Sequence, residues 1–274
     1  MKRITFLLIF LLTFTANAQK NTAFRQVEGF SHPESVVLDH QKELLYVSNM
    51  ADKEKGDGFI SKVSPEGEIL KKKWITGLDD PKGLHVHGDT LYVSDVTVLV
   101  IMDNKKGTVI KKLPVPGANS LNDITADEMG NLYISDLSGN KIFKYDRSGK
   151  ISEWSNDPAL KQPNGLLKLK DGMLVASWGK DEPGKLLRID TSGKCSELTP
   201  GIGNLDGIQK RHSESFLFSD WATGDIYEVN AVGNLQKLIS SAKSSGDFLF
   251  LEDTEMVILP MNFQNSLWWY SLED

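Results

Sequence analysis

A short phrase recurs along this chain at an almost constant interval, and it constrains the fold more than any other feature. Its best copies read Leu-Tyr-Val-Ser-Asn, Leu-Tyr-Val-Ser-Asp and Leu-Tyr-Ile-Ser-Asp, and three weaker copies follow. The six copies occupy residues 45–49, 91–95, 132–136, 174–178, 216–220 and 256–260. Successive copies are offset by 46, 41, 42, 42 and 40 residues. A period of this length indicates repeated supersecondary units.

Each repeat reads as four short strands separated by turns. The third repeat is the clearest, with alternating apolar and polar residues in four segments, 123–126, 132–135, 141–145 and 150–154. Glycine and asparagine occupy the turns between these segments, where tight hairpins require positive φ. The pattern predicts four-stranded antiparallel units.

Four-stranded units at this period are typical of a β-propeller. A single sheet of this size cannot bury both of its faces, so the units must stack around an axis. The last repeat ends soon after its third strand, near 266–270, whereas 23–30 is strand-like and precedes the first repeat. We therefore predict an all-β, six-bladed propeller of four-stranded antiparallel blades, in which an N-terminal strand completes the last blade.

The first 18 residues have the pattern of a cleavable signal peptide. Lys2 and Arg3 precede a short apolar run at 6–14, and Ala16-Asn17-Ala18 is a small-residue cleavage site. The run is shorter than the ~20 residues that span a bilayer. We expect cleavage after Ala18, a periplasmic or secreted protein, and a single propeller domain at 19–274 with about 43 residues per repeat.

Composition limits the kind of partner. The formal net charge is −6, and loss of the leader would make it more negative, which argues against nucleic acid. Cys195 is the only cysteine, so a disulfide framework is excluded and its role is open. We expect a small-molecule substrate, no nucleic acid, no membrane span and a monomer.

A polar residue precedes the serine position of each copy of the phrase by 12 to 14 residues. The six residues are Glu34, Lys82, Asn122, Asn164, Asp206 and Asp247. One such residue per blade, at the start of each innermost strand, would form a ring that faces the central channel. Carboxylate and amide oxygens suit a hard cation such as Ca²⁺. The alternative is a polar lining of a solvated channel.

Four short motifs around this ring resemble those of the senescence marker protein/gluconolactonase family, which includes regucalcin. They are His-Pro-Glu-Ser at 32–35, Leu-Asn-Asp at 121–123, Gln-Pro-Asn-Gly at 162–165 and Leu-Asp-Gly at 205–207. The resemblance implies a six-bladed propeller with a divalent cation in its channel. It also implies that Glu34, Asn164 and Asp206 are the metal ligands and that Asn122 is a further polar contact.

Two positions depart from the family pattern. The lactonase members carry an arginine two places before the Asn-Asp pair, where this chain has Ser120. In addition, Lys82 brings an ammonium group to the ring, where it would compete with a metal or bind an anionic substrate.

The favoured prediction is an exported, metal-dependent hydrolase of a lactone or related ester. Asp206 is predicted to be both ligand and catalytic base, with Asp123 and Asp247 as alternative bases. Ca²⁺ is the favoured ion, and Zn²⁺, Mg²⁺ and Mn²⁺ are alternatives. The predicted substrate contacts are Asn122, Lys82, Asp247, His32 and Trp221.

The second hypothesis is a non-catalytic propeller that binds a protein, peptide or glycan on its rim, with Lys82 in place of the metal. This hypothesis predicts that the Lys82 ammonium bridges the carboxylates of Glu34 and Asp206.

Overall fold

The computed structural model describes residues 22–52, 54–179 and 181–273. Within these ranges the chain forms 24 strands and two short 3-10 helices, and the strands assemble into six four-stranded antiparallel sheets. The first strand of each sheet packs against the first strands of its neighbours, so the sheets are blades around a central channel. The predicted six-bladed propeller is confirmed. The predicted leader at 1–18 lies outside the described residues.

Each of the first three blades is built from consecutive strands, ordered from the channel outward. Blade 1 comprises Pro33–Asp39, Leu44–Asn49, Gly58–Val63 and Ile69–Leu78. Blade 2 comprises Pro81–His87, Thr90–Asp95, Val98–Asp103 and Thr108–Pro114. Blade 3 comprises Leu121–Ala126, Leu132–Asp136, Lys141–Tyr145 and Ile151–Ser155.

Blades 4 and 5 follow the same plan, and blade 6 takes its outer strand from the start of the chain. Blade 4 comprises Pro163–Leu169, Gly172–Ser177, Leu186–Asp190 and Cys195–Glu197. Blade 5 comprises Leu205–His212, Ser215–Asp220, Asp225–Asn230 and Leu235–Ser240. Blade 6 comprises Leu249–Leu251, Met256–Met261, Ser266–Ser271 and Arg25–Glu28. The 3-10 helices are Pro158–Leu160 and Glu252–Thr254.

The two ends of the propeller meet in blade 6. The strand Arg25–Glu28 pairs antiparallel with Ser266–Ser271, with Val27 opposite Leu267. The predicted closure is therefore confirmed. It pairs the outward edge of Ser266–Ser271, which would otherwise carry unpaired backbone groups.

Hydrophobic cores lie between adjacent blades. Tyr46 and Ile60 of blade 1 pack with Leu84, Val93 and Val100 of blade 2 in one buried cluster. Equivalent clusters fill the other interfaces between neighbouring blades. Because both faces of each sheet are packed in this way, the inner strands are held rigidly around the channel.

Five of the six inner strands contain an irregularity at the same place. Regular pairing is interrupted between Pro33 and Val36, Pro81 and Leu84, Leu121 and Ile124, Pro163 and Leu166, and Leu205 and Ile208. The first residue inside each interruption is a residue of the predicted ring. A bulge of this kind bends the strand and redirects a side chain.

Along the described parts of the chain, no helix has the length and apolar character needed to cross a bilayer.

Candidate functional site

The inner strands begin around a cavity of about 400 Å³ at one end of the channel. Its inner surface, called here the polar floor, consists of Glu34, Lys82, Asn122, Asn164, Asp206 and Gly246. Above it lies a set called here the collar, from the loops between second and third strands. The collar consists of Met50, Leu137, Trp178, Trp221, Asn262 and Phe263. Five of the six predicted ring residues therefore face one cavity.

The sixth position of the ring is Gly246, whereas the sequence predicts Asp247. In blade 5, the backbone N–H of Trp221 donates to the carbonyl of Asn204, two residues before the ring residue Asp206. Blades 1, 3 and 4 repeat this bond from Met50 to His32, from Leu137 to Ser120 and from Trp178 to Gln162. In blade 6, Asn262 donates to Ser244, so the equivalent ring residue is Gly246. The placement of Asp247 in the ring is thus wrong by one residue.

Asp247 instead lies with Asp123 on the lining of a second cavity, of about 270 Å³, further along the channel. The Oδ2 atom of Asp247 accepts a hydrogen bond from the Ser35 hydroxyl at 2.8 Å. The carboxylate of Asp123 accepts two backbone N–H bonds, from Ile124 and Leu166, each at 2.6 Å. Both carboxylates therefore have protein partners away from the polar floor.

The serine of the repeated phrase holds the bulges in place. In blade 3, the Oγ atom of Ser135 accepts the backbone N–H of Asp123 at 2.9 Å, and its hydroxyl donates to the carbonyl of Asn164 at 2.6 Å. In blade 5, Ser219 accepts from Gly207 at 2.9 Å and donates to Gly246 at 3.3 Å. The buried serine thus links its own inner strand to the floor residue of the next blade.

The acidic or amide residue that follows this serine holds the loop that leads to the floor. Asp136 accepts the backbone N–H groups of Asn119 and Ser120 at 2.9 and 2.7 Å. Asp95, Asn49 and Asp220 make the equivalent contacts in their blades, to Asp79 and Asp80, to Ser31 and to Asn204. These side chains cap the loops that lead to the floor.

Glycine after a floor residue permits neighbouring inner strands to approach closely. A Cβ atom on Gly165 would collide with the backbone carbonyl of Asp206 in the next blade. The Pro-Asn-Gly motif therefore brings Asn164 and Asp206 onto adjacent strands in contact. The Nδ2 atom of Asn164 donates to the carbonyl of Leu205 at 3.1 Å.

The two floor carboxylates are almost completely buried. Glu34 is 7% exposed and Asp206 is 4% exposed. Burial raises the pKa of Glu34 well above its usual value, and the charge of Asp206 raises it further. Burial, helped by the charge of Asp123, raises the pKa of Asp206 to about 7. Lys82 opposes both pKa increases.

The carboxylates of the second cavity add to this excess of negative charge. Burial raises the pKa of Asp123 to about 6, although its two backbone N–H partners lower it. Burial also raises the pKa of Asp247 well above its usual value, and the charges of Asp123 and Glu34 contribute. Four buried carboxylates in one channel are unfavourable as anions unless cations or protons join them.

Lys82 does not bridge the floor carboxylates. Its Nζ atom lies 3.6 Å from the Oδ2 atom of Asp80, in the loop that leads into blade 2. Among the ion pairs of the described residues, none joins Lys82 to Glu34 or Asp206. The arrangement that the rim-binding hypothesis predicts is therefore not formed.

Two further predicted contacts have different surroundings. Trp221 belongs to the collar, with its ring centroid 5.5 Å from that of Trp178 and 5.1 Å from that of Phe263. His32 does not line the cavity: its Nδ1 atom lies 2.9 Å from the carbonyl of Ala51. Its backbone N–H also donates to the Oδ1 atom of Asn265 at 2.7 Å, so its contacts are structural.

Two oxygens of the polar floor are buried without a hydrogen-bond partner, namely Glu34 Oε2 and Asn164 Oδ1. An unsatisfied buried oxygen is costly, so these atoms are suited to a cationic ligand. Within the described ranges, no three His, Cys, Asp or Glu side chains form a group that could hold a metal ion. The candidate set is instead mixed, with two carboxylates and one amide.

The collar is the part of the site that sequence reasoning missed as a unit. Met50, Leu137 and Trp221 each come directly after the acidic or amide residue that ends the repeated phrase. An apolar residue at this repeated position was a usable signal. Phe263, which is 52% exposed, follows the less regular sixth copy and has no such signal.

Several solved structures have a similar fold. A gluconolactonase from Xanthomonas campestris has a TM-score of 0.71 and 12% identity, with 89% of this chain and 87% of that chain covered. A proposed gluconolactonase has a TM-score of 0.69 and 14% identity, with coverage of 92% and 91%. This chain shares its fold with the gluconolactonases. The resemblance indicated by the motifs is thus confirmed at the level of the fold.

The same fold also occurs in an enzyme with a different activity. Virginiamycin B lyase from Staphylococcus aureus has a TM-score of 0.66 and 14% identity, with 91% of this chain and 88% of that chain covered. In comparisons by sequence, no family model and no curated protein matches the chain. At these identities the structural likeness shows the fold alone, and the activity must be argued from the site.

Proposed function

We propose that this protein is an exported, metal-dependent hydrolase of a lactone or related ester, of the gluconolactonase type. One observation carries the proposal. Glu34, Asn164 and Asp206 face the same cavity, and the first two present buried oxygens without a partner. A fold shared with gluconolactonases supports the same conclusion.

The residues of the floor would have two roles, cation binding and substrate orientation. Glu34, Asn164 and Asp206 would hold a divalent cation, with Ca²⁺ favoured because all three offer hard oxygen ligands. When bound, such an ion polarises the ester carbonyl and stabilises negative charge on its oxygen. Asn122 and Lys82, on the same floor, would orient the substrate through its polar oxygens.

Asp206 is the first candidate for the base. Its pKa is raised to about 7 in the metal-free protein, and a bound cation would favour the ionised carboxylate, which is the form that can accept a proton. It would accept a proton from water as the water oxygen bonds to the carbonyl carbon. The bond to the ring oxygen then breaks, and the same proton passes to that oxygen as it leaves. Asp123 and Asp247, the alternative bases, line the other cavity.

Metal content and hydrolysis test the proposal directly. Purified protein should contain a divalent ion by elemental analysis, and Ca²⁺, Zn²⁺, Mn²⁺ or Mg²⁺ should raise the melting temperature of EDTA-treated protein. A panel of lactones should then be hydrolysed. Glu34→Gln should abolish the melting shift and the hydrolysis, whereas Glu66→Gln, an exposed change in the same blade, should preserve both.

The proposal would be contradicted if the protein contained no divalent ion, showed no melting shift with added ions and hydrolysed no lactone. Export is tested separately by mass spectrometry of protein from the periplasm or medium, where the expected N-terminus is Gln19. Intact protein that begins at Met1 in those fractions would contradict cleavage after Ala18.

A further inference from the structure

The cavity has two chemically different layers. The polar floor presents carboxylate, amide and ammonium groups, whereas the collar presents Met50, Leu137 and three aromatic side chains. A ligand that fills about 400 Å³ must therefore contact both layers. Its polar atoms would meet the floor, and the part nearer the mouth would meet the collar.

The aromatic side chains of the collar form one continuous wall. Trp178, Trp221 and Phe263 come from blades 4, 5 and 6, which are neighbours in the ring. The ring planes of Trp178 and Trp221 are inclined at 54°, and those of Trp221 and Phe263 at 79°. Tilted and edge-to-face contacts of this kind stabilise aromatic clusters.

This wall is held in place by the backbone. The N–H groups of Trp178 and Trp221 donate to the carbonyls of Gln162 and Asn204, each at 2.8 Å. The N–H group of Phe263 donates to the Ser244 hydroxyl at 3.0 Å. The wall is therefore ready for a ligand without a folding step, which lowers the entropic cost of binding.

Exposure of this aromatic surface to water is energetically unfavourable. Phe263 is 52% exposed, and both tryptophans are partly exposed. A flat apolar group placed against them would remove apolar surface from water. Hydroxyl groups at the same place would lose water and find few partners, since Asn262 and the indole N–H groups are the collar's only polar side-chain groups.

We propose that the substrate is a lactone or ester that carries an apolar ring or alkyl group on the alkoxy side of its ester linkage. The carbonyl faces the polar floor, and the apolar group lies against Trp178, Trp221 and Phe263. A polyhydroxylated lactone fits this cavity poorly. The part of the inference that concerns turnover rests on the proposed hydrolase function. The part that concerns ligand preference rests on the collar alone.

Turnover is measured with lactones that share one six-membered ring. These are δ-valerolactone, δ-decalactone, 3,4-dihydrocoumarin and D-glucono-δ-lactone, with each kcat/KM divided by the hydroxide-catalysed rate. The alkyl and aryl lactones should exceed δ-valerolactone by about tenfold or more, because apolar contacts of this size give discrimination of that order. Gluconolactone should not exceed δ-valerolactone.

Two matched variants locate the preference in the collar. Phe263→Ala should reduce the preference to about threefold or less, whereas Phe24→Ala truncates a comparably exposed phenylalanine outside the cavity and should leave it unchanged. Trp221→Leu provides a second variant that keeps an apolar side chain. Circular dichroism and melting temperature identify any variant that fails to fold.

Binding is measured separately with the corresponding cyclic amides, because these compounds resist hydrolysis. By calorimetry, 3,4-dihydro-2-quinolinone should bind at least tenfold more tightly than δ-valerolactam, and Phe263→Ala should remove the difference. Equal binding of the two amides, absence of binding by both, or a turnover preference for gluconolactone would overturn the inference. If the binding preference is found without any lactone turnover, the collar assignment stands and the hydrolase proposal fails.

Discussion

The hydroxyl of Ser135 donates a hydrogen bond to the backbone carbonyl of Asn164 at 2.6 Å, across the boundary between blades 3 and 4. The same Oγ atom accepts the N–H of Asp123 at 2.9 Å. A residue of the repeated architectural phrase therefore positions one residue of the polar floor and one of the second cavity. The repeat and the site are physically coupled through a single side chain.

Ser135→Ala should destabilise the protein and weaken cation binding together. The substitution leaves the N–H of Asp123 and the carbonyl of Asn164 buried without this partner, at a cost of about 1–3 kcal/mol. Urea denaturation would measure the loss, and calorimetry with Ca²⁺ would measure affinity. Ser138→Ala, at an exposed turn position of the same blade, should change the unfolding free energy by less than about 0.5 kcal/mol. Equal effects of the two substitutions would contradict the bridging role.

The contribution of Asp206 to stability should fall as pH rises in metal-free protein. Its pKa is about 7 in the folded state, against an ordinary value of 3.8, so the folded state keeps the proton up to a higher pH than the unfolded state does. The favourable contribution is complete below pH 4, declines between pH 4 and 7, and is lost above 7. The full change corresponds to about 4 kcal/mol.

The measurement is urea denaturation of EDTA-treated protein from pH 4 to pH 8, compared with Asp206→Asn. The difference in unfolding free energy between the two proteins should change across this window and level off above it. Saturating Ca²⁺ should reduce the decline, because a bound cation favours the ionised carboxylate. A difference that is independent of pH would contradict the raised pKa.

Asp247→Asn should stabilise the metal-free protein at pH 8 and leave it nearly unchanged at pH 4. The pKa of Asp247 is raised by burial and by the charges of Asp123 and Glu34, so its ionisation is opposed in the folded state. The amide oxygen of asparagine can still accept the Ser35 hydroxyl. We expect a gain of about 1 kcal/mol or more at pH 8, measured by thermal unfolding. Destabilisation at both pH values would show that the carboxylate is required structurally.

Lys82→Gln should tighten Ca²⁺ binding several-fold. The ammonium group lowers the pKa of both Glu34 and Asp206, so it attracts the same carboxylates that would hold the ion. Calorimetric titration with Ca²⁺ measures the change, and Lys71→Gln, on an exposed outer strand, is the matched control. Weaker binding by Lys82→Gln alone would instead show that the ammonium group organises the site.

The architecture follows closely from the sequence because its signal is repeated six times. The predicted strand at 123–126 is observed as Leu121–Ala126, and the predicted strand at 141–145 is observed as Lys141–Tyr145. The N-terminal closing strand was also predictable, since the last repeat is one strand short. Such features depend on local alternation and on a period, which a single sequence displays directly.

The ring residue was predicted correctly in five blades, and the prediction for the sixth blade was wrong for a specific reason. In blade 6, Ser245 pairs with Met261, whereas in blade 5 the equivalent Leu205 pairs with Asp220. The paired residues are 16 positions apart in blade 6 and 15 in blade 5, so the hairpin of blade 6 contains one extra residue. Counting back from the phrase cannot detect this extra residue, because the count ignores pairing register. The split of the carboxylates between two cavities was hidden for the same reason.

The closing pair of strands has a consequence for the order of assembly. Five blades are built from consecutive residues, but the pairing of Val27 with Leu267 joins parts of the chain that lie 240 positions apart. Such a contact forms slowly, because a long loop must close before any pairing energy is gained. We therefore expect blade 6 to be the last part of the ring to form. The floor, which needs Gly246 of that blade beside Glu34 of blade 1, would become complete only at that final step.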